Sequence, residues 1–230
     1  MLETESIKRN PMLVYLVVLT ISSTVGLQTW TTLFNNFAVD VAGLGGNHVG
    51  MIQSIREIPG FLALLAVFAI RFIREHRLSA VSILVLGAGL ATTGFFPSYA
   101  GIAITTLVSS FGFHYYETTN MSLTLQYFKK HESPWVFGKL TSLAAATSIV
   151  IGLLIYLMMS FLSFSQVYLV VGGLIALAGL WALRRDPSDP QALPQRKQMV
   201  LRKRYWLFYF LTFMAGARRQ IFIAFSVLLL

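Results

Sequence analysis

The 230-residue chain is 56% hydrophobic and only 12% charged, with a mean hydropathy of +0.68, a balance that excludes an ordinary water-soluble domain. Its net charge of +9 would suit nucleic acid, but the basic residues are distributed by junction along the chain, which argues against such a partner. There is no cysteine, so thiol metal sites and disulfides are excluded.

A hydrocarbon core about 30 Å thick takes roughly 20 apolar residues per helical span. Seven such segments follow one another, at 12–34, 49–70, 78–97, 100–128, 135–161, 166–183 and 205–230. The first is expected to be a retained span and not a cleaved signal, because no small-residue cleavage pattern follows it. Lys8 and Arg9 precede span one, Arg71, Arg74 and Arg77 follow span two, and Lys129, Lys130 and Lys139 flank the junction of spans four and five. Seven more basic residues, from Arg184 to Arg204, separate spans six and seven, so all but three of the 18 Lys and Arg residues fall at alternate junctions. The opposite junctions, "NNFAVDVAGLGGNH", "PSYA" and "SFSQ", carry none. The positive-inside rule then places the N-terminus and the basic junctions in the cytoplasm of a multi-pass protein of the plasma or inner membrane.

The linker "RRDPSDPQALPQRKQMVLRKR", 184–204, is denied a continuous helix by its three prolines, while its basic stretch suits a membrane surface. It divides residues 1–183, a bundle of six spans, from 205–230, the start of a second bundle. The sequence ends within apolar residues at Leu230, as expected of the first half of a larger transporter plus the opening span of its second half.

This layout resembles the major facilitator superfamily, whose members join two six-span bundles by a cytoplasmic linker. The motif after span two is matched in degenerate form by "AIRFIREHRL", which keeps Arg71, Arg74 and Arg77 but lacks the family's Asp and glycines. The exit of span four, "LQYFKKHESPWVFGKL", is similar to the family's proline, acid, basic and glycine pattern, with Glu132, Gly138 and Lys139 in place. The span-four arginine and the Gly-Pro pair of drug-exporting branches are missing. The resemblance implies an all-helical fold in which spans one, four and seven line a central pathway, two and five flank it, and three and six support it from outside.

Polar residues inside spans are the informative ones, because an arginine at a helix centre costs about 2.5 to 3.5 kcal/mol. Span seven carries Arg218 and Arg219; adjacent positions diverge by about 100° on a helix, so one is expected to face a cavity and the other a neighbouring helix. Span two holds Gln53, Arg56, Glu57 and Pro59, read as an ion pair or gate beside a kink. Span four places His114, Glu117 and Asn120 at i, i+3 and i+6, either as interhelical glue or as a protonatable site in which Glu117 is the proton-coupling candidate. Span one adds a mild polar stripe at Thr24, Gln28 and Thr31, suited to a cavity wall. Gly172 and Ala176 of span six suit close helix packing.

The expected function is secondary transport of a small solute by alternating access, with proton coupling and organic anions as its finer options. The partners are the bilayer, the solute and protons; no cofactor or metal is implied, and no enzymatic activity. A seven-helix receptor is the first rival, opposed by the cytoplasmic N-terminus and by the absence of a span-seven lysine for retinal. A membrane-embedded enzyme is the second, opposed by the scatter of His48, His76, His114 and His131.

Overall fold

In the computed structural model, residues 10–189, 202–211 and 214 are described, and every regular element among them is helical. The chain forms two units, Met1–Arg196 and Lys197–Leu230. In the first, α1 spans Pro11–Asn36 and runs on through a π-helical turn, Phe37–Val41. Then follow α2 (Gly46–Phe61), a 3-10 turn (Leu62–Leu65), the short α3 (Ala66–Ala69), α4 (Glu75–Thr93), α5 (Tyr99–Tyr127), α6 (Ser133–Met158) and α7 (Phe164–Leu183). In the second unit a 3-10 turn at Lys203–Tyr205 leads into helix over 206–211.

Four of these helices are long and apolar enough to cross a membrane: Pro11–Val41, Glu75–Thr93, Ser133–Met158 and Phe164–Leu183. At 29 residues α5 is about 43 Å long at 1.5 Å per residue, more than enough, but its Ser, Thr, His, Glu and Asn side chains dilute its apolarity. The second expected span is not one helix. Pro59 lies inside α2, where it removes an N–H and crowds the preceding turn, and the backbone passes into the 3-10 turn three residues later. Side chains of α5 bond the backbone on either side of the break: the Ser110 hydroxyl donates to the Arg56 carbonyl, and the Tyr115 hydroxyl donates to the Leu62 carbonyl at 3.2 Å.

Local sequence sets the helix ends. The Asn10 side chain accepts from the Met12 N–H at 2.9 Å with Pro11 opening α1, the usual chemistry of a helix start. Ser98 caps α5 by accepting from Gly101 N–H at 3.1 Å, and Ser163 with Gln166 forms a reciprocal capping box at the head of α7, which satisfies otherwise orphaned donors. Two of the junctions without basic residues, "PSYA" and "SFSQ", thus serve as helix caps. After the π-helical turn, Gly43 adopts a φ of +63°, a conformation open to glycine at little steric cost.

Glycine also sets the packing. α4 lies between α5 and α7, with the helix backbones in near contact. A Cβ on Gly87 would sit 2.4 Å from the Ala176 nitrogen, one on Gly172 2.3 Å from the Ala91 nitrogen, and one on Gly112 of α5 2.4 Å from the Leu86 nitrogen. The small residues Gly172 and Ala176 thus do the close packing their spacing suggests. α6 packs on α1 through Val136, Leu140, Ile151 and Ile155 but exposes Ile149, Val150, Leu153 and Tyr156. Lys139, flanking the junction before span five, lies in the second turn of α6 with its ammonium 5.2 Å from the Trp135 ring.

Hydrogen bonds tie the buried faces together. The Tyr15 hydroxyl donates to the His76 carbonyl at 2.6 Å, Thr20 and Tyr116 share a hydrogen bond at 2.8 Å, and Trp30 Nε1–H donates to Thr106 Oγ1 at 3.2 Å. Tyr15→Phe keeps the ring and removes the one hydroxyl that ties α1 to the first-turn carbonyl of α4 at His76. We expect it to lower stability by about 1 kcal/mol, measured by thermal unfolding in detergent; an unchanged midpoint would show that His76 finds another donor.

Candidate functional site

Span two places Arg56 and Glu57 one turn before the break in α2, and α5 carries Ser110 and His114 past them. Their side chains are largely enclosed: Arg56 is 14% exposed, Glu57 25% and His114 17%. Arg56 Nη1 lies 3.6 Å from Glu57 Oε1, and His114 Nε2 lies 4.0 Å from Glu57 Oε2. Both distances exceed a tight hydrogen bond, so the carboxylate is shared electrostatically between a permanent cation and a titratable ring. α1 supplies the third wall: the Arg56 guanidinium carbon stands 4.5 Å from the centroid of the Trp30 ring, a cation–π contact. Trp30 is fixed in turn by its bond to Thr106. Gly60 is small for a reason visible here, since a Cβ would lie 3.2 Å from His114 Cε1. Beside Arg56 is a void of 20 Å³ lined in part by Gly26, Trp30, Ser109 and Phe113, room for about one water.

The other expected residues are placed as follows. Thr24 and Gln28 are half-buried on α1, and Gln28 Nε2 donates to Thr32 Oγ1 at 3.2 Å. Glu117 is exposed, whereas Asn120 is half-buried with its side-chain oxygen lacking a hydrogen-bond partner among the described residues. Arg218 and Arg219 lie outside the described residues. What the sequence reading did not foresee is that His114 meets Glu57 of another helix. The one local signal was the pairing of Pro59 with Gly60, which opens α2 just where the ring approaches.

At the basic end of the bundle Arg71 and Arg77 are exposed, and Arg74 donates to Asp186 Oδ2 at 3.3 Å. The residues between them were overlooked. Glu75 and His76 begin α4 almost fully buried, at 4% and 3% exposure, with His76 Nε2 3.6 Å from Asp186 Oδ1. An acidic residue in a first helical turn is favoured by the helix dipole, so α4 starts three residues before the apolar window. Hydrogen bonds from the side chain and backbone of Ser188 hold the Asp186 carboxyl below its ordinary pKa, with His76 and Arg74 adding to the effect. A carboxyl lowered in the folded state stabilises at pH values above its unfolded pKa and loses that contribution as pH falls through the folded value. Acid unfolding of Asp186→Asn is thus expected to show a shallower pH dependence below about pH 4, with little change at pH 7 because the pair is half-exposed. An acid limb identical to the parent's would remove Asp186 from the account.

No protein-family model and no curated protein sequence matches the chain. Among solved structures it is similar to a bacterial homolog of the human lysosomal transporter Spinster, determined in an inward-facing and occupied conformation. The TM-score is 0.58 at 13% sequence identity, over 78% of this chain and 45% of that one. The chain therefore spans less than half the length of that structure, and at this identity the likeness is one of fold.

Proposed function

We propose that this chain, which has a major-facilitator-like fold, works as part of a secondary transporter that moves a small solute across the membrane by alternating access. The observation that carries the reading is the ionic group formed by Arg56, Glu57 and His114, largely enclosed between α1, α2 and α5 of a strongly apolar chain. Charges held inside a membrane bundle are costly and mark substrate or proton paths. In an alternating-access carrier such a path lies between two bundles. The N-terminus and the basic junctions are cytoplasmic in this reading, and the membrane is the plasma or inner membrane.

The finer chemistry follows from the loose geometry. An anionic solute competes with Glu57 for Arg56, and Glu57, displaced toward His114, takes up a proton; solute and proton then move together. Thr24, Gln28 and Asn120 add polar groups to the pathway and Glu117 is a second carboxyl for coupling, while Arg218 and Arg219, outside the described residues, are further candidates for meeting an anion. The test is flux into proteoliposomes holding the full-length protein, with and without an imposed pH gradient. Accumulation of a small organic anion that follows the gradient supports the reading. Vesicles no more permeable than lipid alone, across a panel of anions and neutral solutes, would sink it.

A further inference from the structure

The transport reading gives no role to the short basic run that opens the described part of the second unit. Arg202, Lys203 and Arg204 are consecutive and all exposed, and residues 190–230 contain no Asp or Glu to offset them. The chain then turns aromatic and apolar. Tyr205 closes the 3-10 turn begun at Lys203, and every residue of the helix over 206–211 is exposed, Trp206 and Tyr209 among them. We propose that this segment is a docking surface for anionic phospholipid of the cytoplasmic leaflet, with the three cations on headgroup phosphates and Tyr205, Trp206 and Tyr209 at the boundary between headgroups and acyl chains. The inference rests on the reading of residue 205 onward as the start of a span with a cytoplasmic approach, and not on transport.

Three observations select a lipid surface as the partner. A helix that is apolar on all sides belongs in hydrocarbon, so the residues just ahead of it lie at headgroup level, where Lys and Arg lay their carbon stems on apolar surface and keep the charge among phosphates. The second is direction. A 3-10 turn advances about 120° per residue, so Lys203, Arg204 and Tyr205 point three ways around the axis. One compact anion meets one of them; a layer of headgroups surrounding the axis meets all. Third, the Arg202 N–H donates to the Tyr209 hydroxyl oxygen at 3.3 Å, which draws the residue before the turn alongside the helix and sets a cation next to an aromatic ring of the kind that settles at a membrane interface.

The sign of the lipid follows from the charge. A zwitterionic headgroup carries a cation of its own and gives back part of the attraction, whereas an anionic one does not, so a cluster of basic side chains favours the anionic leaflet. Bound headgroups then fix the depth at which the chain enters the membrane after the linker.

Native mass spectrometry of the full chain, released from detergent micelles after titration with phosphatidylglycerol or with phosphatidylcholine of identical acyl chains, counts bound lipid and gives its affinity. Phosphatidylglycerol is expected to bind at least tenfold tighter than phosphatidylcholine. The triple variant Arg202→Gln, Lys203→Gln, Arg204→Gln should reduce that preference to less than threefold, and Lys203→Gln alone should weaken phosphatidylglycerol binding several-fold. Arg71→Gln, Lys129→Gln, Lys130→Gln is the control: it removes the same charge from exposed residues of the other basic junctions and should keep the preference. The single variant stays decisive where the triple variant fails to fold. Equal affinity for the two lipids, a preference unchanged in the folded variants, an equal loss in the control, or displacement of the lipid by inorganic phosphate at matched ionic strength would overturn the proposal.

Discussion

Glu57→Gln is expected to cut solute flux at least tenfold and to flatten its response to a pH gradient, while leaving the protein folded. Glutamine keeps the shape and the hydrogen-bonding capacity of the side chain but removes the charge that faces Arg56 at 3.6 Å and His114 at 4.0 Å. At an effective dielectric constant near 20, a pair of unit charges at that spacing interacts by about 4 to 5 kcal/mol. Tenfold in rate needs only about 1.4 kcal/mol, so a third of that interaction suffices. His114→Asn tests the other partner and should lose gradient dependence with a smaller loss of flux. Trp30→Leu removes the ring under Arg56, a contact worth about 0.5 to 2 kcal/mol, and should weaken the apparent affinity for an anion more than the maximal rate. Glu117→Gln separates the two carboxyls. If it abolishes coupling and Glu57→Gln does not, the proton path runs through Glu117 and the Arg56 group is a structural ion pair.

The second large effect is on packing. Gly87→Ala and Gly172→Ala should each lower the thermal midpoint by roughly 2 to 12 °C, the expected consequence of forcing about 1 to 3 kcal/mol of overpacking into a close helix contact. The added methyl would meet backbone nitrogen, at 2.4 Å from Ala176 and 2.3 Å from Ala91, and backbone cannot swing aside as a side-chain tip can. α4 and α7 must therefore separate along their length. Gly152→Ala and Gly173→Ala are the matched controls: nothing lies within 4 Å of either new methyl, so the gain in helix propensity should make them neutral or stabilising by up to about 1 kcal/mol. Equal midpoints for all four variants would mean that the helices of this bundle are not packed as described.

Helix existence was legible because length and apolarity are local properties. Spans four and six were placed at 100–128 and 166–183, against helices at Tyr99–Tyr127 and Phe164–Leu183. The failures came where a distant group decides. "LALL" at 62–65 reads as ordinary apolar span, yet it is a 3-10 turn, closely following Pro59, with the Leu62 carbonyl bonded by the Tyr115 hydroxyl of α5. Glu75 lies ahead of the apolar window that begins at 78, although the head of a helix is a favourable place for it. In the site, each of Arg56, Glu57 and His114 could be singled out as a charge or polar group inside a span. Their partnership depends on how α2 and α5 are rotated about their axes, which a single apolar pattern does not specify. The packing of α4 on α7 was half legible: Gly172 and Ala176 stood out as small, while their counterpart Gly87 did not.

The interrupted second span has a mechanical corollary. Ser110 grips its backbone at Arg56, before the discontinuity, and Tyr115 grips it at Leu62, just after. A continuous rod would transmit a tilt from one membrane face to the other. Two short segments, each pinned to the same neighbour at its own point, pivot about the joint instead, and the guanidinium and carboxylate ride on the segment nearer His114.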